Sequence, residues 1–136
     1  MSPLVLLAVV AAWHAAFQVT VTALVYPALL ACPAGTFPDA HARHSRRIVP
    51  LVGATYAAVV LACGWVLLSG GGAAAGTAVA AQVVALGTTA VVAAPTHGAL
   101  GRSGPTPVLT RRLRVADAVR TVAACTGLVA ALVALR

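Results

Sequence analysis

The sequence predicts an all-α integral membrane protein, a four-transmembrane-helix bundle with a short interfacial helix before the second span. Three observations carry this. The 136 residues are 61% hydrophobic and only 8% charged, whereas soluble domains run at about 45–50% apolar and about 25% charged. So short a chain has too little interior to hide that much apolar surface, and lipid must cover part of it. The apolar residues also gather into four runs, each able to cross a hydrocarbon core about 30 Å thick. The cations, all arginine, lie almost wholly beside those runs. The length leaves room for one membrane domain, residues 1–136.

The first span covers residues 4–30 and carries no formal charge. It is too long for a signal-peptide core, and no basic residue precedes it. Leu29-Leu30-Ala31-Cys32 has the form of a lipoprotein cleavage box. Cleavage there would leave Arg43, Arg46 and Arg47 on the outside, against the positive-inside bias. A turn-rich stretch follows, Pro33 to Pro38, in which Thr36, Phe37 and Pro38 form a helix start with Asp39 near the positive dipole end. Residues 39–47 are predicted as the interfacial helix, with Pro50 at the bend into the second span, residues 48–68. Gly70, Gly71 and Gly72 make an uncharged turn before the third span, residues 74–94, which Pro95 closes. Residues 96–106, rich in Gly, Ser, Thr and Pro, read as loop. Thr106-Pro107 starts the last helix, which spans residues 115–135.

The arginines set the expected topology. Loops 31–47 and 96–114 hold the clusters Arg43, Arg46, Arg47 and Arg102, Arg111, Arg112, Arg114, while the 69–73 turn has no basic side chain. The positive-inside bias puts both loops in the cytoplasm of a cell-membrane protein and both termini outside. The charge of +7 is therefore a membrane signal. Aromatic residues do not alternate with arginine as a base-stacking platform requires, so no nucleic-acid partner is expected. The partners expected are the lipid bilayer and a hydrophobic small molecule, and a homo-oligomer stays open. Cys32, Cys63 and Cys125 fit no metal or disulfide spacing.

Polar residues inside apolar runs are the candidates for chemistry, with interhelical hydrogen bonding as the plainer alternative. His14, Gln18 and Thr22 recur every fourth residue along one face of the first span, beside Trp13. The second span offers Tyr56 with Cys63, and the third offers Gln82 with Thr77 and Thr89. The cytoplasmic end is richer. His41 and His44 share a helix face, His97 follows Pro95-Thr96, and Asp117 and Arg120 lie one turn apart in the last helix. Arg120 can snorkel to the headgroups or pair with Asp117 at the mouth of a bundle cavity. His41 and His44 are the metal candidates, since histidines with a carboxylate can bind a transition metal or haem. An HxxH pair is a weak motif, however, and the neighbouring arginines oppose a cation. Surface histidines or an acid–base and anion-binding cluster are the other readings.

Four segments, taken in order, resemble the anthrone-oxygenase-like family of small integral membrane proteins. Tyr26-Pro27-Ala28-Leu29 closes the first span like that family's Pro-Ala-Leu, and Phe37 with His41-Ala-Arg-His44-Ser-Arg-Arg47 looks like a segment of bacterial relatives. Pro95-Thr96-His97-Gly98-Ala99-Leu100 is similar to Pro-Thr-Asn-x-x-Leu, and Asp117-Ala-Val-Arg120 to Asn-x-x-Arg. His97 and Asp117 thus replace the family's amides. The resemblance implies a four-helix membrane fold and allows an oxygenase acting on polycyclic phenols with no cofactor required; the enzyme reading is thus an oxygenase or isomerase for a hydrophobic polycyclic phenol or quinone-like substrate. With that chemistry His97 fits the base and Arg120, beside Asp117, the anion stabiliser, with His14 inside the cavity; Trp13, Gln18, Tyr26, Tyr56 and Gln82 are the candidate pocket residues. The alternatives are a non-catalytic membrane subunit, scaffold or binder, and a haem or metal protein.

Overall fold

The structure is a computed structural model that describes all residues, 1–136. It is all-helical, and four helices are long and apolar enough to cross a membrane: α1 (Pro3–Leu30), α2 (Phe37–Ser69), α3 (Ala73–Ser103) and α4 (Pro107–Val133). Local chemistry sets the ends. The Ser2 hydroxyl accepts from the Val5 N–H at 3.3 Å, with Pro3 in the first turn, where its missing N–H costs nothing. Thr106 caps α4 in the same way, accepting from the Leu109 N–H at 3.2 Å ahead of Pro107. Helices α2 and α3 stop where Gly70 and Gly104 take positive φ, 76° and 72°, which only glycine adopts cheaply.

Two of the sequence boundaries are corrected. The helix expected over residues 39–47 is present as the opening turns of α2, with no boundary at residue 48, and continues through Pro50 to Ser69. Residues 96–103 are not loop, because α3 continues through Pro95. The reason lies in the backbone. The turn Thr89–Ala93 is widened to π geometry, and the Ala94 N–H bonds to the Thr89 carbonyl. Helix α1 repeats the device at Val21–Val25, where the Tyr26 N–H bonds to the Val21 carbonyl just before Pro27. A proline ring collides with the carbonyl one turn back and offers no N–H of its own. The wider turn makes room for that carbonyl and keeps the rest of the backbone bonded, as a membrane interior demands.

Helix α1 packs between α2 and α4, and α3 lies mainly against α4, so α2 and α3 meet only sparsely. Small side chains permit the closest approach. On α3 and α4 they include Ala78, Ala85, Ala124 and Gly127, as expected where packing rather than hydrophobic exclusion draws helices together. A Cβ on Gly127 would lie 2.8 Å from the Gln82 amide nitrogen. Two apolar clusters result, one around Leu7, Val59, Val66 and Val79, the other around Leu29, Phe37, Leu100 and Leu113. Only 33 of the 136 residues are buried, so Leu24, Leu61, Val91, Val122 and their neighbours form an outer surface that lipid must cover. The protein is a multi-pass membrane protein.

Candidate functional site

Between the two apolar clusters lies a layer of buried polar side chains: His14, Gln18, Gln82, Asp117 and Arg120. Each comes from a membrane-crossing helix and has an exposed neighbour in sequence, Trp13, Val19, Val83, Ala118 and Val119 in turn, so every polar atom needs a protein partner. The layer divides into two sets.

The first set joins α1 to α3. His14 Nδ1 lies 2.6 Å from the Gln82 amide oxygen and donates to it. The His14 ring meets the Tyr56 ring edge-on at 5.3 Å between centroids. His14 Nε2 and the Gln82 amide nitrogen are buried without partners. Nearby, the Tyr56 hydroxyl bonds to Thr89 Oγ1, bridging α2 and α3, and the Thr89 hydroxyl in turn donates to the Ala85 carbonyl.

The second set is a continuous chain of hydrogen bonds running towards the arginine-rich end. The Gln18 amide donates to Asp117 Oδ1 at 2.7 Å, and Arg120 Nη2 donates to the same oxygen at 3.0 Å. The same Nη2 donates to the Tyr26 hydroxyl at 2.9 Å. That hydroxyl lies 2.9 Å from His97 Nε2, and His97 Nδ1 lies 3.4 Å from His41 Nε2. The His41 ring stacks on Phe37, and His44 stacks on His97 at 6.0 Å between centroids. Gly101 makes room for His41, since a Cβ there would stand 3.3 Å from its Cε1.

A cavity of about 470 Å³ opens where α2 and α3 part. That volume falls in the range of about 300–1,000 Å³ typical of small-molecule sites. Its apolar walls include Val21, Ile48, Val52 and Ala93, and its polar lining includes Tyr26, His97 and Arg120. A cation held at Asp117 and a phenol held between that cation and an imidazole therefore face an otherwise oily space. Such an environment strengthens every electrostatic contact with a bound group.

The sequence-predicted residues separate clearly against this cavity. Gln18, Tyr26, His41, His44, Tyr56, His97 and Arg120 line it. Asp117, His14 and Gln82 do not; Asp117 stands behind Arg120, and the other two form the buried α1–α3 pair. Trp13 is also outside it, on the outer surface, with its indole N–H donating to Thr55 Oγ1 at 3.0 Å. No group of three or more His, Cys, Asp or Glu side chains is placed to hold a metal ion; His44 stacks on His97, and the His41 ring lies tilted against it. Sequence reasoning gave no site role to Ser45, Phe37, Thr55 or Gly101, although Phe37 and Ser45 lie in the segment quoted for the resemblance. Of these, only Phe37 had a signal, one aromatic residue a helical turn before His41. No protein family, no curated protein and no solved structure matches the chain.

Proposed function

We propose that the protein is a membrane-embedded, cofactor-independent oxygenase for a hydrophobic, enolisable polycyclic phenol or quinone-like compound. The observation that carries this reading is the Tyr26–His97–Arg120 group on the lining of an apolar cavity. An anthrone bound there loses a C–H proton into the basic group anchored by His97, and its electron pair stays on the ring system as an enolate opposite Arg120. Molecular oxygen takes one electron from the enolate, and the radical pair recombines to a peroxide. The peroxide anion regains the proton held by the protein, and the hydroperoxide then loses its remaining ring C–H proton and outer oxygen as water to give the quinone. The overall balance is one anthrone and one O₂ to one quinone and one water, so no further reductant is needed. Purified protein in lipid vesicles is expected to consume O₂ with anthrone, and His97→Ala and Arg120→Ala to lose about 10²-fold or more of that rate. Equal rates for wild type and both variants would end this reading.

A second reading has its own support. His14–Gln82, Gln18–Asp117 and Tyr56–Thr89 all tie one helix to another, as the polar residues of a non-catalytic subunit or scaffold would. On that reading His97→Ala, which breaks none of these ties, changes no chemical rate.

The arginine-rich end of the bundle, with Arg43, Arg46, Arg47, Arg102, Arg111, Arg112 and Arg114, is assigned to the cytoplasm of the cell membrane, with the termini outside. Single cysteines placed at Ser103 and at Gly72, where a side chain meets open space, in a chain stripped of Cys32, Cys63 and Cys125, report on this. The first is expected to react with a membrane-impermeant maleimide only after cells are opened, the second in intact cells. The reverse pattern would invert the assignment.

A further inference from the structure

Resting on the oxygenase reading, we infer that Tyr26 is the group that touches the substrate proton, and that His97 and His41 carry it away by a relay ending beside Gly101. The direction follows from counting hydrogens. Arginine has only donors, so at 2.9 Å Arg120 Nη2 must donate and the Tyr26 oxygen must accept. The Tyr26 hydrogen then needs an acceptor of its own, and the only other polar atom bonded to that oxygen is His97 Nε2, 2.9 Å away. Were His97 Nε2 to carry the hydrogen, the buried phenol O–H would be left unpaired, at a cost of about 1–3 kcal/mol. So His97 accepts at Nε2 and bears its hydrogen on Nδ1. That hydrogen points at His41 Nε2, 3.4 Å off. His41 in turn carries its hydrogen on Nδ1, the atom that a Cβ on Gly101 would approach to 3.5 Å. That nitrogen is not among the sealed, partnerless atoms of the interior.

The arrangement moves a proton without creating a charge along the way. As the Tyr26 oxygen takes the substrate C–H proton, its own hydrogen passes to His97 Nε2. The Nδ1 hydrogen of His97 passes to His41 Nε2, and the Nδ1 hydrogen of His41 leaves. Every relay member ends neutral. The single new charge is the electron pair left on the substrate, which faces the Arg120 cation. Rotation of the two imidazoles, or return of a proton along the same path, resets the relay. Both nitrogens of His97 are engaged in this scheme, so His97 is a relay and positioning residue, and Tyr26 is the catalytic one. Phe37, stacked on His41 at 5.6 Å between centroids, holds the last imidazole in line.

Hydrogen–deuterium exchange at the methylene of anthrone tests this without O₂. Wild-type protein in vesicles, under argon in deuterated buffer, is expected to accelerate exchange, read by mass spectrometry. Tyr26→Phe should lose about 10²-fold of that acceleration. His41→Ala should lose about tenfold and regain most of it with added imidazole, a rescue that a merely structural role does not give. Gly101→Val, which puts bulk against His41, should slow exchange even at saturating anthrone. Failure of the wild-type protein to bind anthrone or to accelerate exchange would overturn the oxygenase reading and the relay together. Normal exchange in His41→Ala and Gly101→Val, alongside loss in Tyr26→Phe, would overturn the relay alone.

Discussion

Arg120→Ala is expected to be the most destabilising single substitution in the bundle, lowering stability by about 3–5 kcal/mol. The loss comes less from the missing contact than from what it leaves behind. Asp117 is buried beside Arg120, and its Oδ1 is the common acceptor for Arg120 and Gln18. Without the guanidinium, one neutral amide must compensate a carboxylate that lipid and apolar side chains surround. The Tyr26 hydroxyl loses its donor in the same step. The double variant Arg120→Met with Asp117→Leu removes both charges and should recover most of the stability, since an apolar pair of similar size replaces a costly ionic one. It should not recover turnover. Unfolding by detergent titration separates the variants, and a single variant as stable as wild type would show that the pair is exposed to water.

Gln82→Ala is expected to cost about 2–3 kcal/mol, the second-largest effect. A hydrogen bond between membrane helices contributes about 0.6 kcal/mol on average and about 1.7 at most. Here the partner's position raises the cost. His14 is fully buried, its Nδ1 has Gln82 as its acceptor at 2.6 Å, and its Nε2 already lacks a partner. Alanine would therefore strand the whole imidazole, adding about 1–3 kcal/mol for an unpaired buried donor. Replacing both residues, His14→Leu with Gln82→Leu, should be milder than Gln82→Ala alone, because no polar group is then stranded. The same detergent titration measures this, and additive losses in the double variant would contradict the pairing. Neither residue lines the cavity, so turnover per folded molecule should change little.

The four spans were legible because lipid makes a simple demand: long runs with almost no charge. The clustering of His41, His44, His97, Asp117 and Arg120 at one end was legible too, since four crossings return both arginine-rich segments to the same side. What escaped was continuity. Proline, read as a stop, placed a boundary at Pro95, yet α3 continues through it, as α2 does through Pro50. In water a broken helix can hydrate its free carbonyls; in lipid that outlet is closed and the helix is retained. The lateral placement of Trp13 escaped as well. It neighbours His14 in sequence, but adjacent helical residues point about 100° apart, so a buried His14 sends Trp13 outward. Thr55, which accepts its indole hydrogen, carries no mark in the sequence at all.

The widened turn in α1 has a consequence for azimuth. His14 and Tyr26 are twelve residues apart, and in a regular α-helix that separation leaves the two side chains about 120° out of phase. Tyr26 would then face away from the direction in which His14 points. The π turn at Val21–Val25 absorbs one residue without advancing the rotation, which returns Tyr26 to within about 20° of His14. The polar stripe that begins at His14 is thereby handed on to the phenol beneath Arg120. The alignment of the site thus depends on a residue count in the backbone, and counting at a constant pitch puts Tyr26 on the wrong side of its helix.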